Sequence, residues 1–522
     1  MHAGSKRSVL APRRYSTDLR KLHFDQPVES LRLATLRALW RDSWGELLMM
    51  RVPKAAVIGA GLAVLAFCTA LFVQAQNGST AHDPGVRTGA VDAGQPLSTL
   101  SAAQLQFFQD GLARFNQVDS VTGTIAGEPG AGLGPGFNSN SCASCHAQPA
   151  AGGTSPSATE FPNIGPNPQV LAAADAGATN SLPPFITADG PVREVRFPFV
   201  ITANGKLTAT PDGGVHDIFT IAGRSDATGC TMAQPDYDRA DQLRDIIFRI
   251  PTPLFGAGLI ENISDETILA NMSANEALKR SMGISGHPNR SANDGTITKF
   301  GWKAQNKSLE VFAGEAYNVE IGVTNELFPN KRANPPASCL YNPTPEDSTN
   351  FTLAGTQLLS DIVEFANFMR FLAPAAPSSD GIPGNPSAQS IQNGQSLFSQ
   401  IHCDLCHTPA LQTASSSFTP GLSNQTATLY SDLLVHRMGA RLEDRVMQGE
   451  AGPDEFRTAP LWGLGQRIFF LHDGRATTAN GGLLTAIRDH ASAGSEANRV
   501  IMLFNSLSDQ QKQDLLNFLR SL

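Results

Sequence analysis

Two short stretches constrain this chain more than anything else in it: "FNSNSCASCHAQPAAGG" (137–153) and "FSQIHCDLCHTPA" (398–410). In each, two cysteines stand two residues apart with a histidine directly after the second. The first set is Cys142, Cys145 and His146; the second is Cys403, Cys406 and His407. At that spacing two sulfurs reach one edge of a porphyrin as thioethers, and the adjacent imidazole comes under the iron. A CxxC zinc site gathers four ligands locally and leaves the histidine without a purpose. A thioredoxin-like dithiol expects a βαβ surround. The repeated motif therefore predicts two covalently bound haem c groups, with His146 and His407 as iron ligands.

The surroundings repeat as well. "FQDGLARF" (108–115) and "IQNGQSLF" (391–398) match at Gln109/Gln392, Gly111/Gly394 and Phe115/Phe398. Apolar residues seven apart in both mark one face of a helix, so the chain reads as a duplicated helix-then-CxxCH unit. The first unit spans 95–155 and the second 386–522. Between them, 156–385 changes character. It holds β-rich sequence around a hairpin candidate at Asn204-Gly205, a helical run, "SDETILANMSANEALKRSM", capped at Ser264, and a Pro/Gly/Ser linker over 372–390. The last helix begins at a Ser508 cap.

Residues 1–75 form an N-terminal extension. The uncharged apolar run 55–73, preceded by Arg51 and Lys54 and followed by small residues, reads as a secretory signal cleaved after Ala75. A retained membrane anchor is the alternative, and Met49 or Met50 is a candidate start. That segment holds 11 Lys and Arg against 5 Asp and Glu, leaving 28 against 42 in the body, a net of −14. Such acidity argues against nucleic acid as a partner. At 41% hydrophobic and 16% charged, the chain is globular, not disordered. In an oxidising, periplasmic compartment the two cysteines outside any motif, Cys230 and Cys339, are most simply a disulfide, with buried free thiols as the alternative.

Beyond the motifs, the iron ligands opposite the proximal histidines are open. His490, which ends an apolar helical run, leads at the second haem, with Met438 next and His436 and His472 in the same region. After His146 no histidine or methionine follows in its own unit before His216, which points to a first iron with an open position. His216, His287 and Glu320 are candidate acid–base groups there. Trp302 and Trp462 are candidate stepping stones between the haems, or ordinary aromatic packing.

The stretches "NSCASCHAQPAAGG", "RIPTPLFGAGLIENI", "GISGHPN", "FGWKAQ", "EIGVTNELFP", "YSDLLVHRMG" and "RTAPLWGLGQRIFFLHDGRA" resemble the di-haem oxidoreductase (peroxidase) family, related to bacterial di-haem cytochrome c peroxidases. The resemblance runs from about residue 100 to the C-terminus. It implies a mainly α fold, with two cytochrome-c-like haem domains flanking a mixed α/β, loop-rich insertion. It also implies that one haem takes electrons from a small donor protein, of cytochrome or cupredoxin type, and passes them to the other, where peroxide is reduced. A non-catalytic electron carrier with both irons six-coordinate is the alternative.

Overall fold

The computed structural model describes residues 81–522, apart from 90–92, 158–165, 203, 212–214, 333, 351–358 and 417–418. The signal or anchor segment lies outside the described residues. Among the described residues, no helix is long and apolar enough to cross a membrane.

The helices that position the two motifs are α1 (Ala102–Phe115), α2 (Leu309–Ala316), α3 (Asp361–Phe371), α4 (Ala388–Gln400), α5 (Gly482–Asp489), α6 (Asn498–Ser506) and α7 (Asp509–Ser521). Local sequence starts several of them. Ser101 with Gln104, and Ser508 with Gln511, form capping boxes that satisfy end N–H groups. Helix α3 is capped from a distance instead: Asp347 accepts the N–H groups of Asp361 and Ile362 at 2.7 and 3.2 Å.

These helices pack as two crossed pairs, α1 on α3 and α4 on α7. Each crossing passes through a glycine. A Cβ added at Gly111 would lie 2.3 Å from the Glu364 carbonyl oxygen, and one at Gly394 would lie 2.0 Å from that of Asp514. Only glycine lets these backbones approach so closely. The seven-residue phenylalanine repeat is the packing face: Phe108 and Phe115 meet Phe368 at 5.5 and 4.6 Å, and Phe398 meets Phe518 at 5.7 Å. The partner of α1 therefore comes from 361–371, inside the stretch that the sequence places in the insertion. One core joins this first pair to the insertion, and a second forms around Phe398, Phe504 and Phe518.

The strands are short. β1 (Glu194–Arg196) lies between β2 (Val215–His216) and β3 (Ile247–Arg249), antiparallel to both. Its register sets Val195 opposite His216 and Glu194 opposite Arg249. The Asn204-Gly205 hairpin forms as expected, pairing Phe199–Ile201 with Leu207–Pro211. Farther on, β4 (Val435–Arg437) pairs antiparallel with β5 (Glu455–Arg457). The run read as one helix after Ser264 is two, Asp265–Ser273 and Glu276–Met282, because Asn275 between them takes a left-handed φ of 57°.

Helix makes up 33% and strand 13%, so the class is mixed and not the mainly α one expected. The many glycines and prolines put much of the chain into loops around the helix pairs. Cys230 and Cys339 form a disulfide across 109 residues, a closure that contributes about 3–5 kcal/mol.

Candidate functional site

Each CxxCH motif forms the floor of a cavity. At the first, Cys142–Cys145 is a single helical turn, and the His146 N–H returns to the Cys142 carbonyl at 3.0 Å. The imidazole Nδ1 lies 3.0 Å from the Gly153 carbonyl oxygen. That oxygen can only accept, so Nδ1 carries the proton and Nε2 keeps its lone pair. Phe115 packs edge-on against the ring at 6.0 Å. The second motif repeats this geometry: His407 Nδ1 is 2.9 Å from the Tyr430 carbonyl, and Phe398 stands edge-on at 6.3 Å. Desolvation lowers both imidazoles to about 4, with the His490 ring adding to the effect on His407. Both are neutral rings suited to bind a metal.

The first cavity encloses about 1120 Å³, counting its open mouth. Cys142, Cys145 and His146 line it from one unit, and Glu194, Arg196 and Arg249 from the insertion sheet. Glu320 lines it too, in a π-turn (Tyr317–Ile321) that continues α2. Such turns gather at functional sites. Asn138, just ahead of the motif, donates its side-chain N–H to Glu320 Oε2 at 3.0 Å. Among the described residues, His146 is the only histidine in the lining. The one thioether there among the described residues is Met369, from α3, the helix whose Phe365 and Phe368 pack on Phe115.

The second cavity, about 1580 Å³, is richer in ligands: His490, Met438, His472 and His436 all line it with His407. His490 caps the C-terminus of α5, and its Nδ1 lies 2.7 Å from the Ala486 carbonyl. Its Nε2 is therefore available, as at His407. His436 is held on both nitrogens, by Asp432 and Glu496 at 2.9 Å each, with Cys406 Sγ 3.7 Å from its Nδ1. His472 stacks on Phe456 at 4.3 Å.

Two catalytic candidates stand outside both cavities. His216 is the cross-strand partner of Val195, so it shares the sheet face turned away from Glu194 and Arg196, and its ring packs on Phe197 at 4.6 Å. His287 sits beside β4 with Nε2 3.2 Å from Glu455, its side chain 38% exposed. Of the three candidates, Glu320 alone reaches a cavity. Glu194, Arg196 and Arg249 escaped the sequence reading, although the charge alternation in "REVRF" was the available signal.

Trp302 lines both cavities and donates its indole N–H to the Ile250 carbonyl at 2.9 Å, whereas Trp462 lines neither. Beside Trp302 a buried ion network joins the two walls. Arg249 meets Asp444 at 2.6 Å, Asp444 meets Lys303 at 3.0 Å, and the Lys303 ammonium sits 4.1 Å over the Phe456 ring.

These residues fit a haem in each cavity. All four motif cysteines are free thiols. Desolvation pushes the Cys145 and Cys403 thiols up to about 11 and about 12, which makes them poor redox thiolates. The Nε atoms of Arg196 and Arg249 at the first cavity, and of Arg467 at the second, are buried with no protein hydrogen-bond partner. An orphaned buried guanidinium N–H calls for an anionic acceptor, and a porphyrin carries propionates.

No curated protein matches the sequence. A solved structure described as "Crystal structure of a MauG-like protein associated with microbial copper homeostasis" is 15% identical, over 50% of this chain and 89% of its own, with a TM-score of 0.25. Residues 211–522 match the family described as "Di-haem oxidoreductase, putative peroxidase". That match covers more than half of the sequence and includes the second CxxCH motif, and the chain belongs to this family of di-haem oxidoreductases.

Proposed function

We propose that the protein is an exported, periplasmic di-haem c-type cytochrome that reduces peroxide. The observation that carries the reading is the inequality of the two cavities. The second is lined by His490 as well as His407; the first, among the described residues, has no second histidine but a carboxyl, Glu320. When bound, the haems would supply redox-active iron for the two-electron, two-proton reduction of peroxide to water, the electrons coming from a small donor protein.

The chain's own residues then have distinct tasks. Cys142, Cys145, Cys403 and Cys406 would anchor the groups, and His146 and His407 would bind iron through Nε2. His490 closes the second site, and Met438 is the alternative there. Desolvation, and next the charge of Glu194, push Glu320 well above the usual carboxyl range. That shift favours the protonated form of Glu320, which can deliver a proton to the departing oxygen. Trp302 fills the space between the sites with a polarisable ring. The Cys230–Cys339 bridge supports export, since such bonds persist in oxidising compartments.

The test is made on protein expressed with c-type maturation. Two haems should survive acid–acetone extraction, cyanide should bind one iron per chain, and peroxide should be consumed once the second haem is reduced. Two bound haems with no cyanide binding and no peroxide consumption would mark the protein as an electron carrier.

A further inference from the structure

The alternation of β1 buries Val195 in the core and turns Glu194 and Arg196 together into the first cavity. Glu194 Oε1 lies 2.8 Å from Arg196 Nη2, and across the ladder Glu194 faces Arg249, which lines the same cavity. Glu320 enters from the π-turn. Its main-chain carbonyl accepts the N–H groups of Asn138 and Ser139 at 2.7 and 3.3 Å, and its carboxyl accepts the Asn138 side chain. The cavity therefore contains two carboxyls from different parts of the chain, one clamped by guanidinium and one by neutral amide.

We propose that Glu194 is a positioning residue that keeps the proton on Glu320: the insertion sheet brings a second carboxyl into the cavity that Glu320 lines, and a like charge in one enclosed site opposes ionisation of the other. Arg196 Nη2 pairs with Glu194 Oε1 at 2.8 Å, whereas the Glu320 carboxyl accepts the neutral Asn138 amide. The influences on Glu320 divide by sign: burial, Glu194 and Asp217 raise it, whereas the Asn138 side chain and Arg196 lower it. The insertion thereby becomes part of the catalytic unit.

The catalytic purpose of this arrangement rests on the peroxidase reading. Reduction of one peroxide takes two electrons from the donor protein and two protons, breaks the O–O bond and releases two waters, and Glu320 supplies the proton to the departing oxygen. The charge coupling itself is independent of turnover.

Infrared difference spectra of the holoprotein across a pH titration read that coupling directly, through the C=O stretch of a protonated carboxyl. The wild type should show a band near neutral pH that Glu320→Gln abolishes. In Glu194→Gln the band should be lost at a pH about one unit lower, and in Arg196→Gln at a higher pH. The alkaline limb of kcat/KM for peroxide should move with the band. Absence of the band in the wild type, or a midpoint unmoved by either variant, overturns the proposal. If the band shifts as expected while no variant or wild type consumes peroxide, the coupling stands and the peroxidase reading falls.

Discussion

His407 and His490 each commit Nδ1 to a main-chain carbonyl, which fixes the tautomer and points the remaining lone pair into one cavity. Met438 lines the same space but has only a thioether to offer. His490→Ala should abolish the low-spin signal of one haem in electron paramagnetic resonance, and Met438→Ala should leave it; the reverse pattern would transfer the ligand role to Met438. At the first site, Glu320→Gln should lower peroxide turnover by about 10²–10⁴-fold with the visible spectrum unchanged. His216→Ala and His287→Ala should stay within about twofold of the wild type in the same assay, since neither ring lines a cavity. A larger loss in either would return that histidine to the reaction. The residues around iron were legible because the covalent demands of attachment are written as a local spacing. Glu194 and Arg196 were not, because their meaning depends on which face of β1 meets a cavity built by residues scattered from Phe115 to Met369.

Among the elements, the two helix crossings behave as copies of one device. Gly111 and Gly394 occupy matching places in the two sequence repeats, and in both a side chain would strike the carbonyl oxygen of the crossing helix. Gly111→Ala and Gly394→Ala should each cost about 1–3 kcal/mol in urea denaturation of the holoprotein, as overpacking does. Neutral behaviour of either would mean that its crossing is looser than described. The helix faces were readable from the seven-residue apolar spacing, and so were the caps at Ser264 and Ser508, though not that at Ser101. The identity of α1's partner was not, since α3 has no motif and lies beyond the whole insertion. Periodicity tells which face of a helix is buried, but not against what. The break at Asn275 was hidden for a related reason: a single left-handed residue interrupts a run whose composition favours helix throughout.

Across the whole molecule, buried carboxyls link protonation to stability. Asp119, Asp217 and Asp347 are each raised to about 7, chiefly by burial. In the unfolded chain they titrate near roughly 4, so the folded state binds more protons between those values. Their stabilising effect is complete below about pH 4 and is lost as pH rises through about 7. Asp217→Asn should therefore show a smaller drop in melting temperature than the wild type between roughly pH 5 and 8. Equal slopes would mean that Asp217 titrates normally. The larger account depends on the inequality of the two iron sites, one enclosed between His407 and His490 and one open above His146. The electron paramagnetic resonance spectrum of the oxidised holoprotein tests it most directly. The expected result is one high-spin and one low-spin ferric signal in equal amounts, with cyanide converting only the high-spin one. Two low-spin signals, unchanged by cyanide in every redox state, would contradict it.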